Sequence, residues 1–83
     1  MSLIDDLRSR IDAIDANIVK LIGERIRVAE TIGQEKKKSG RQIEDIERER
    51  KVLDGVRRLA AAEKINPEVV EWIYRQVIAA AKR

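Results

Sequence analysis

Apolar residues recur at alternating steps of three and four through the first part of the chain: Ile4, Leu7, Ile11, Ile14, Ile18, Leu21, then Val28 and Ile32. That spacing holds one stripe on one face of a helix and is the heptad pattern of a helix that packs along another. A helix is therefore predicted from about Leu3 to about Lys38. Ser39-Gly40 ends it, with glycine supplying a left-handed cap. A second helix should start at Glu44 or Asp45 and finish near Glu63, with Ile46, Val52, Leu53, Val56 and Leu59 as its buried stripe. Asn66 as cap, Pro67 in the first turn and Glu68 at the positive end of the dipole mark a third. Its stripe, Val69, Val70, Ile73, Val77 and Ile78, runs to the C-terminus. No strand-like alternation, internal repeat or linker interrupts this order, so the expected fold is all-α: three helices in a single domain over residues 1–83.

The first helix is too long for the rest of the chain. About 35 residues at about 1.5 Å each reach roughly 52 Å. A compact chain of this size has a radius of gyration of about 12 Å and a diameter of roughly 30 Å. Two short helices cannot cover both halves of that seam. A second copy with its long helix antiparallel is the simplest closed solution, so an intertwined antiparallel homodimer is expected.

Composition narrows the chemistry. The 83 residues are 43% hydrophobic and 40% charged, with no apolar run of about 18 residues, so neither a membrane span nor a secretory signal is expected. Cysteine and histidine are both absent, which removes disulfides, thiolate and imidazole metal sites, and every Ser-His-Asp or Cys-His triad. No metal and no cofactor are expected, and the default location is cytoplasmic. Eighteen Lys and Arg against 15 Asp and Glu give a net charge of +3. The excess is mild and the acids are interleaved. The basic run Lys36-Lys37-Lys38-Ser39-Gly40-Arg41 sits at a helix end, where cations are favoured anyway. The aromatics are Trp72 and Tyr74, both read as packing residues, so nucleic acid is not an expected partner.

Polar groups on apolar stripes are the candidates for function. Arg25 fills the seam slot between Leu21 and Val28, and Lys36 lies eleven residues on, near three full turns, hence on the same face and about 16 Å away along the axis. Together they can grip a small anion. Equally, Arg25 can pair with a carboxylate across a dimer while Lys36 is ordinary helix-end charge. Glu49 falls in the stripe of the second helix, where an unpaired carboxylate costs several kcal/mol. Asp45 is read as an N-cap or a site residue, and Arg48 as a solvated neighbour of Glu44 or a site residue. Arg8, one place off the seam, is read as a solvent-facing charge with a covered stem. Gly23 and Gly33, inside the long helix, are read as possible points of close helix approach.

These residues fall into a familiar arrangement. Leu7-Arg8-Ser9-Arg10-Ile11-Asp12-Ala13-Ile14-Asp15 resembles the start of the all-helical class of chorismate mutase. So do Leu21-Ile22-Gly23-Glu24-Arg25, Ile32-Gly33-Gln34-Glu35-Lys36 and Ile43-Glu44-Asp45-Ile46-Glu47-Arg48-Glu49-Arg50, in order and with matching spacings. The resemblance implies a three-helix subunit, an intertwined homodimer and conversion of chorismate to prephenate. It implies that Arg25 and Arg8 of the partner subunit bind the two substrate carboxylates. Lys36 would bond the ether oxygen and a carboxylate, Glu49 and Asp45 would hold the ring hydroxyl region, and Arg48 would support the carboxylate. The family's second ether-oxygen donor, a Gln or Glu near the end of the third helix, would fall about two residues beyond Arg83. A further family polar position falls on Ala81, and Gln76 sits more than two turns too early.

The implied reaction suits a chain without His or Cys. One C–O bond breaks and one C–C bond forms within a single molecule, with no nucleophile and no obligatory proton transfer. Arginine forks hold the folded conformer, and a fixed cation stabilises the charge growing on the ether oxygen. The nearest rival is an isochorismate pyruvate lyase on the same scaffold, expected to lack a carboxylate at the Glu49 position. A rival of another class is a non-catalytic helical dimerisation or regulatory module, in which Arg25, Lys36 and Glu49 are unrelated charges.

Overall fold

The computed structural model describes residues 2–40 and 45–82, which form α1 (Leu3–Ser39), α2 (Ile46–Ala62) and α3 (Pro67–Ala80). No strand occurs among the described residues. The helix ends follow from their local chemistry. The Ser2 hydroxyl accepts the Asp5 N–H at 3.1 Å while the Asp5 carboxylate accepts the Ser2 N–H at 3.4 Å, a capping box that opens α1. Gly40 closes it at φ 75°, donating to the Lys36 and Lys37 carbonyls. Asp45 caps α2, which starts at Ile46: its Oδ1 accepts the Arg48 N–H at 2.9 Å. The expectations placed on Arg41, Ile43 and Glu44 lie outside the described residues. Asn66 caps α3 by accepting the Glu68 N–H at 2.9 Å, with Pro67 as the first helical residue, and α3 ends at Ala80.

Between α2 and α3 the chain reverses on Lys64, a non-glycine residue at φ 61°. The turn is closed by the Ile65 N–H donating to the Ala60 carbonyl at 2.9 Å. The two helices then run antiparallel and pack Val56, Ala60 and Val77 into a small core. Arg57 on α2 donates to Glu71 Oε1 on α3 at 3.0 Å, and Arg75 donates to Oε2 at 3.2 and 2.9 Å, so one carboxylate clamps the pair midway.

Two stripe expectations are corrected here. On α2 the row that meets α3 is Glu49, Leu53, Val56 and Ala60, whereas Leu59 is 67% exposed and Ile46 is exposed as well. Leu59 precedes Ala60 by one residue, about 100° around the helix, which turns it off the contact face. On α3, Val77 is buried and Val70 and Ile78 half-buried, but Val69 and Ile73 face outward. Trp72 shares that outer face at 64% exposure, so it does not pack within its own chain; Tyr74 is half-buried.

Among the described residues α1 meets α3 and not α2, and it contains no buried residue. The side it covers is not the heptad seam. Ile22, Ile26, Ala29 and Gly33 are half-buried, each one place after an exposed seam position or Arg25, a rotation of about 100°. The seam itself, from Ile4 through Leu7, Ile11, Ile14, Ile18, Leu21 and Val28 to Ile32, is exposed along its whole length. The chain accordingly extends 58 Å in one direction and 16 Å in another, with a radius of gyration of 16.3 Å against about 12 Å for a compact chain of this length. Neither interior glycine serves close approach within the chain: a methyl at Gly33 would meet nothing within 4 Å, and one at Gly23 would meet the mobile end of Arg27.

Candidate active site

Most charged side chains lie on the surface, and the exceptions are informative. Among the described residues the half-buried charged ones are Arg25, Lys36, Glu49, Arg57 and Glu71. Arg57 and Glu71 are accounted for by the clamp between α2 and α3. Donors from Arg75, and then Arg57, hold the Glu71 carboxyl below its ordinary value. Arg25, Lys36 and Glu49 remain, three of the residues singled out from the sequence as candidates for function.

Arg25 leaves α1 towards α3 and places its guanidinium over the Tyr74 ring, 5.6 Å from the centroid. The aromatic face fixes the cation while its N–H groups stay available to a ligand. Lys36, on the same face of α1, borders an open hollow of about 390 Å³ with Thr31, Ile32, Glu35 and Ser39. Glu35 is paired with Lys38 at 3.5 Å. Lys36 has no side-chain ion pair or hydrogen bond among the described residues. Glu49, one turn into α2, projects across to the end of α3 and forms an ion pair through Oε1 with Lys82. The two line a cleft of about 120 Å³ with Leu53, Arg75, Ile78 and Ala79.

The remaining candidates are placed differently. Asp45 is exposed and one of its oxygens is committed to the cap of α2; Arg48 is exposed and supplies the N–H for that cap. Arg8 is exposed in the N-terminal half of α1. It is 28 residues from Lys36 on one helix, about 42 Å, so one chain does not bring them together. Arg25 and Glu49 attach to Tyr74 on α3 and to Lys82 just past its end, eight residues apart in sequence. The single chain thus assembles Arg25 and Glu49 on α3, with Lys36 further along α1.

Sequence reasoning missed Lys82, the Tyr74 support under Arg25 and the Arg57–Glu71–Arg75 clamp. Two signals were present: Glu71 and Arg75 are four apart on one helix. Lys82 follows Ile78 by four, which makes it a polar residue at the end of an apolar stripe, the criterion that selected Glu49.

Three helices with a sparse core, a long bare seam and the half-buried Arg25, Lys36 and Glu49 define an all-helical protein among the described residues. Residues 7–83 match chorismate mutase type II, and the chain belongs to that family of isomerases. It is 33% identical over 73 residues to the chorismate mutase of Methanocaldococcus jannaschii, covering 88% of this chain and 74% of that one. It is 35% identical over 83 residues to the bifunctional chorismate mutase/prephenate dehydratase of Aquifex aeolicus, covering 96% of this chain and 23% of that one. The corresponding bifunctional protein of Escherichia coli is 31% identical over 72 residues, 87% of this chain and 19% of its own length. The chain therefore spans about a quarter or less of these bifunctional relatives.

Proposed function

We propose that this protein converts chorismate to prephenate, a step of aromatic amino acid biosynthesis, as an intertwined antiparallel homodimer. The observation that carries this reading is the burial pattern: within a member of the chorismate mutase type II family, the half-buried charges left after the structural clamp are Arg25, Lys36 and Glu49. Arg25, steadied by Tyr74, binds one substrate carboxylate, and Arg8 of the partner subunit binds the other. Held at both ends, the substrate stays in the folded conformer in which the new C–C bond forms as the ether C–O bond breaks. Lys36 stabilises the negative charge growing on that ether oxygen. Glu49 accepts a hydrogen bond from the ring hydroxyl, Asp45 holds the same region through the oxygen that does not cap α2, and Arg48 supports the carboxylate.

The bare seam supports the dimer. A partner's α1 running antiparallel, with the two-fold axis near Ile18 or Leu21, buries the exposed stripe and carries Arg8 of the partner subunit opposite residues 25 to 36. The direct test is loss of the ultraviolet absorbance of chorismate on addition of the protein. Turnover of isochorismate instead would assign the lyase reaction, and turnover of neither would leave a non-catalytic module. The shared site is tested by mixing. Arg8→Ala and Lys36→Ala homodimers should each be nearly inactive, with losses on the order of 10²-fold or more for Lys36. Unfolded and refolded together, they should recover about a quarter of wild-type activity, because about half the dimers are mixed and each mixed dimer has one intact site. No recovery from mixed dimers seen by mass spectrometry overturns the shared site.

A further inference from the structure

The cleft between the start of α2 and the end of α3 has an apolar floor of Leu53, Ile78 and Ala79 and a charged rim of Glu49, Arg75 and Lys82. Arg75 is committed to Glu71 through two N–H donors. Lys82 is the cation that meets Glu49 among the described residues, reaching it from the other helix. The backbone delivers it there. Ala81 and Lys82 donate to the Ile78 and Ala79 carbonyls at 3.2 and 3.1 Å, a tightened last turn that carries residue 82 round towards α2. The pair is partly shielded from water, at 29% exposure for Glu49 and 41% for Lys82. Charges in such a position are screened less than at an open surface.

This arrangement answers an electrostatic difficulty. A ligand with two carboxylates is repelled by a carboxylate in its binding site, and a part-buried site strengthens the repulsion. We propose that Lys82 is a positioning residue that lets a doubly anionic ligand bind beside Glu49, by cancelling the charge of that carboxylate and fixing its Oε1. Glu49 Oε2 remains as an acceptor for a hydroxyl donor. With its charge offset, the carboxylate favours a ring that carries a hydroxyl at this position. The inference rests on the chorismate mutase reading and deepens it.

The test uses the full chain with chorismate, comparing wild type, Lys82→Met, Lys82→Arg and the Lys82→Met/Glu49→Gln double variant against Glu49→Gln, with helical circular dichroism and melting as controls of folding. Lys82→Met should raise KM about tenfold with kcat changed much less, because one uncompensated charge opposes binding. Lys82→Arg should restore KM to within about twofold of wild type, since the charge is kept. In the Glu49→Gln background the same Lys82→Met change should move KM less than about twofold, because no charge is left to cancel. An unchanged KM in folded Lys82→Met overturns the inference while wild-type turnover keeps the mutase reading. An equal KM rise in both backgrounds also overturns it, since Lys82 would then act on the ligand directly. If Lys82→Met fails to fold, the Lys82→Arg variant decides: failure to hold KM near wild type overturns the role. A wild-type chain that binds and turns over no chorismate overturns the mutase reading and this inference with it.

Discussion

Lys64 stands at φ 61° without the freedom of glycine, and an L-residue in that region is strained by about 1–2 kcal/mol. The turn it makes is required by the antiparallel run of α2 and α3, so the strain is retained. Lys64→Gly should stabilise the fold by about 1 kcal/mol, read as a rise of roughly 4–8 °C in melting temperature. Asp45 gives the opposite sign: Asp45→Ala removes the α2 cap and should cost about 1 kcal/mol in denaturant unfolding, whatever it does to turnover. Glu71 makes a pH prediction. Its folded pKa is depressed by Arg75 and Arg57, so its contribution is fully present above the unfolded value and is lost as pH falls through the folded one. Wild type should therefore lose part of its stability on acidification below about pH 4.5, while Glu71→Gln, less stable at neutral pH, should show a shallower decline over that range.

At the scale of the helix, what could be read from the sequence was whatever lies within one turn or repeats along one element. The Asn66-Pro67-Glu68 start, the Gly40 stop and the heptad seam are of this kind, and the three helices fall where that grammar puts them. Arg25 and Glu49 were legible because each interrupts a local pattern, and Lys36 because it shares the face of Arg25 three turns on; all three are half-buried. The register between helices was not legible. Ala60 rather than Leu59 meets α3 because of where the Lys64 turn sets the two axes, and no periodicity within α2 encodes that. Lys82 and Glu49 are paired by the same register, across the open end of the hairpin. The outward set Val69, Trp72 and Ile73 reads as core by composition, and only the position of α2 shows that it is not covered within the chain. The clamp predicts that Arg57→Ala loosens α2 against α3 and speeds amide exchange in both, leaving the N-terminal half of α1 unchanged.

The whole molecule is a hairpin of two short helices attached to a rod. One side of the rod rests on α3, and the side about 100° away carries an exposed apolar line, broken by Arg25. On the proposed antiparallel pairing that line is the interface, and its centre tolerates charge badly. Ile18→Glu should raise the dimer dissociation constant by at least about a hundredfold, measured by sedimentation, because two carboxylates would be buried near the two-fold axis. Activity should fall in step with the dimer, since no single chain holds both Arg8 and Lys36 at one ligand.

On the proposed pairing, the bare seam also changes the reaction order of folding. With a core of Val56, Ala60 and Val77 among the described residues, a lone chain has little to hold α1 straight. Its ordering and its encounter with a second copy then become one bimolecular event. Refolding should slow in proportion to dilution, and the melting temperature should climb with the logarithm of protein concentration, as mass action requires of a fold that two chains complete together.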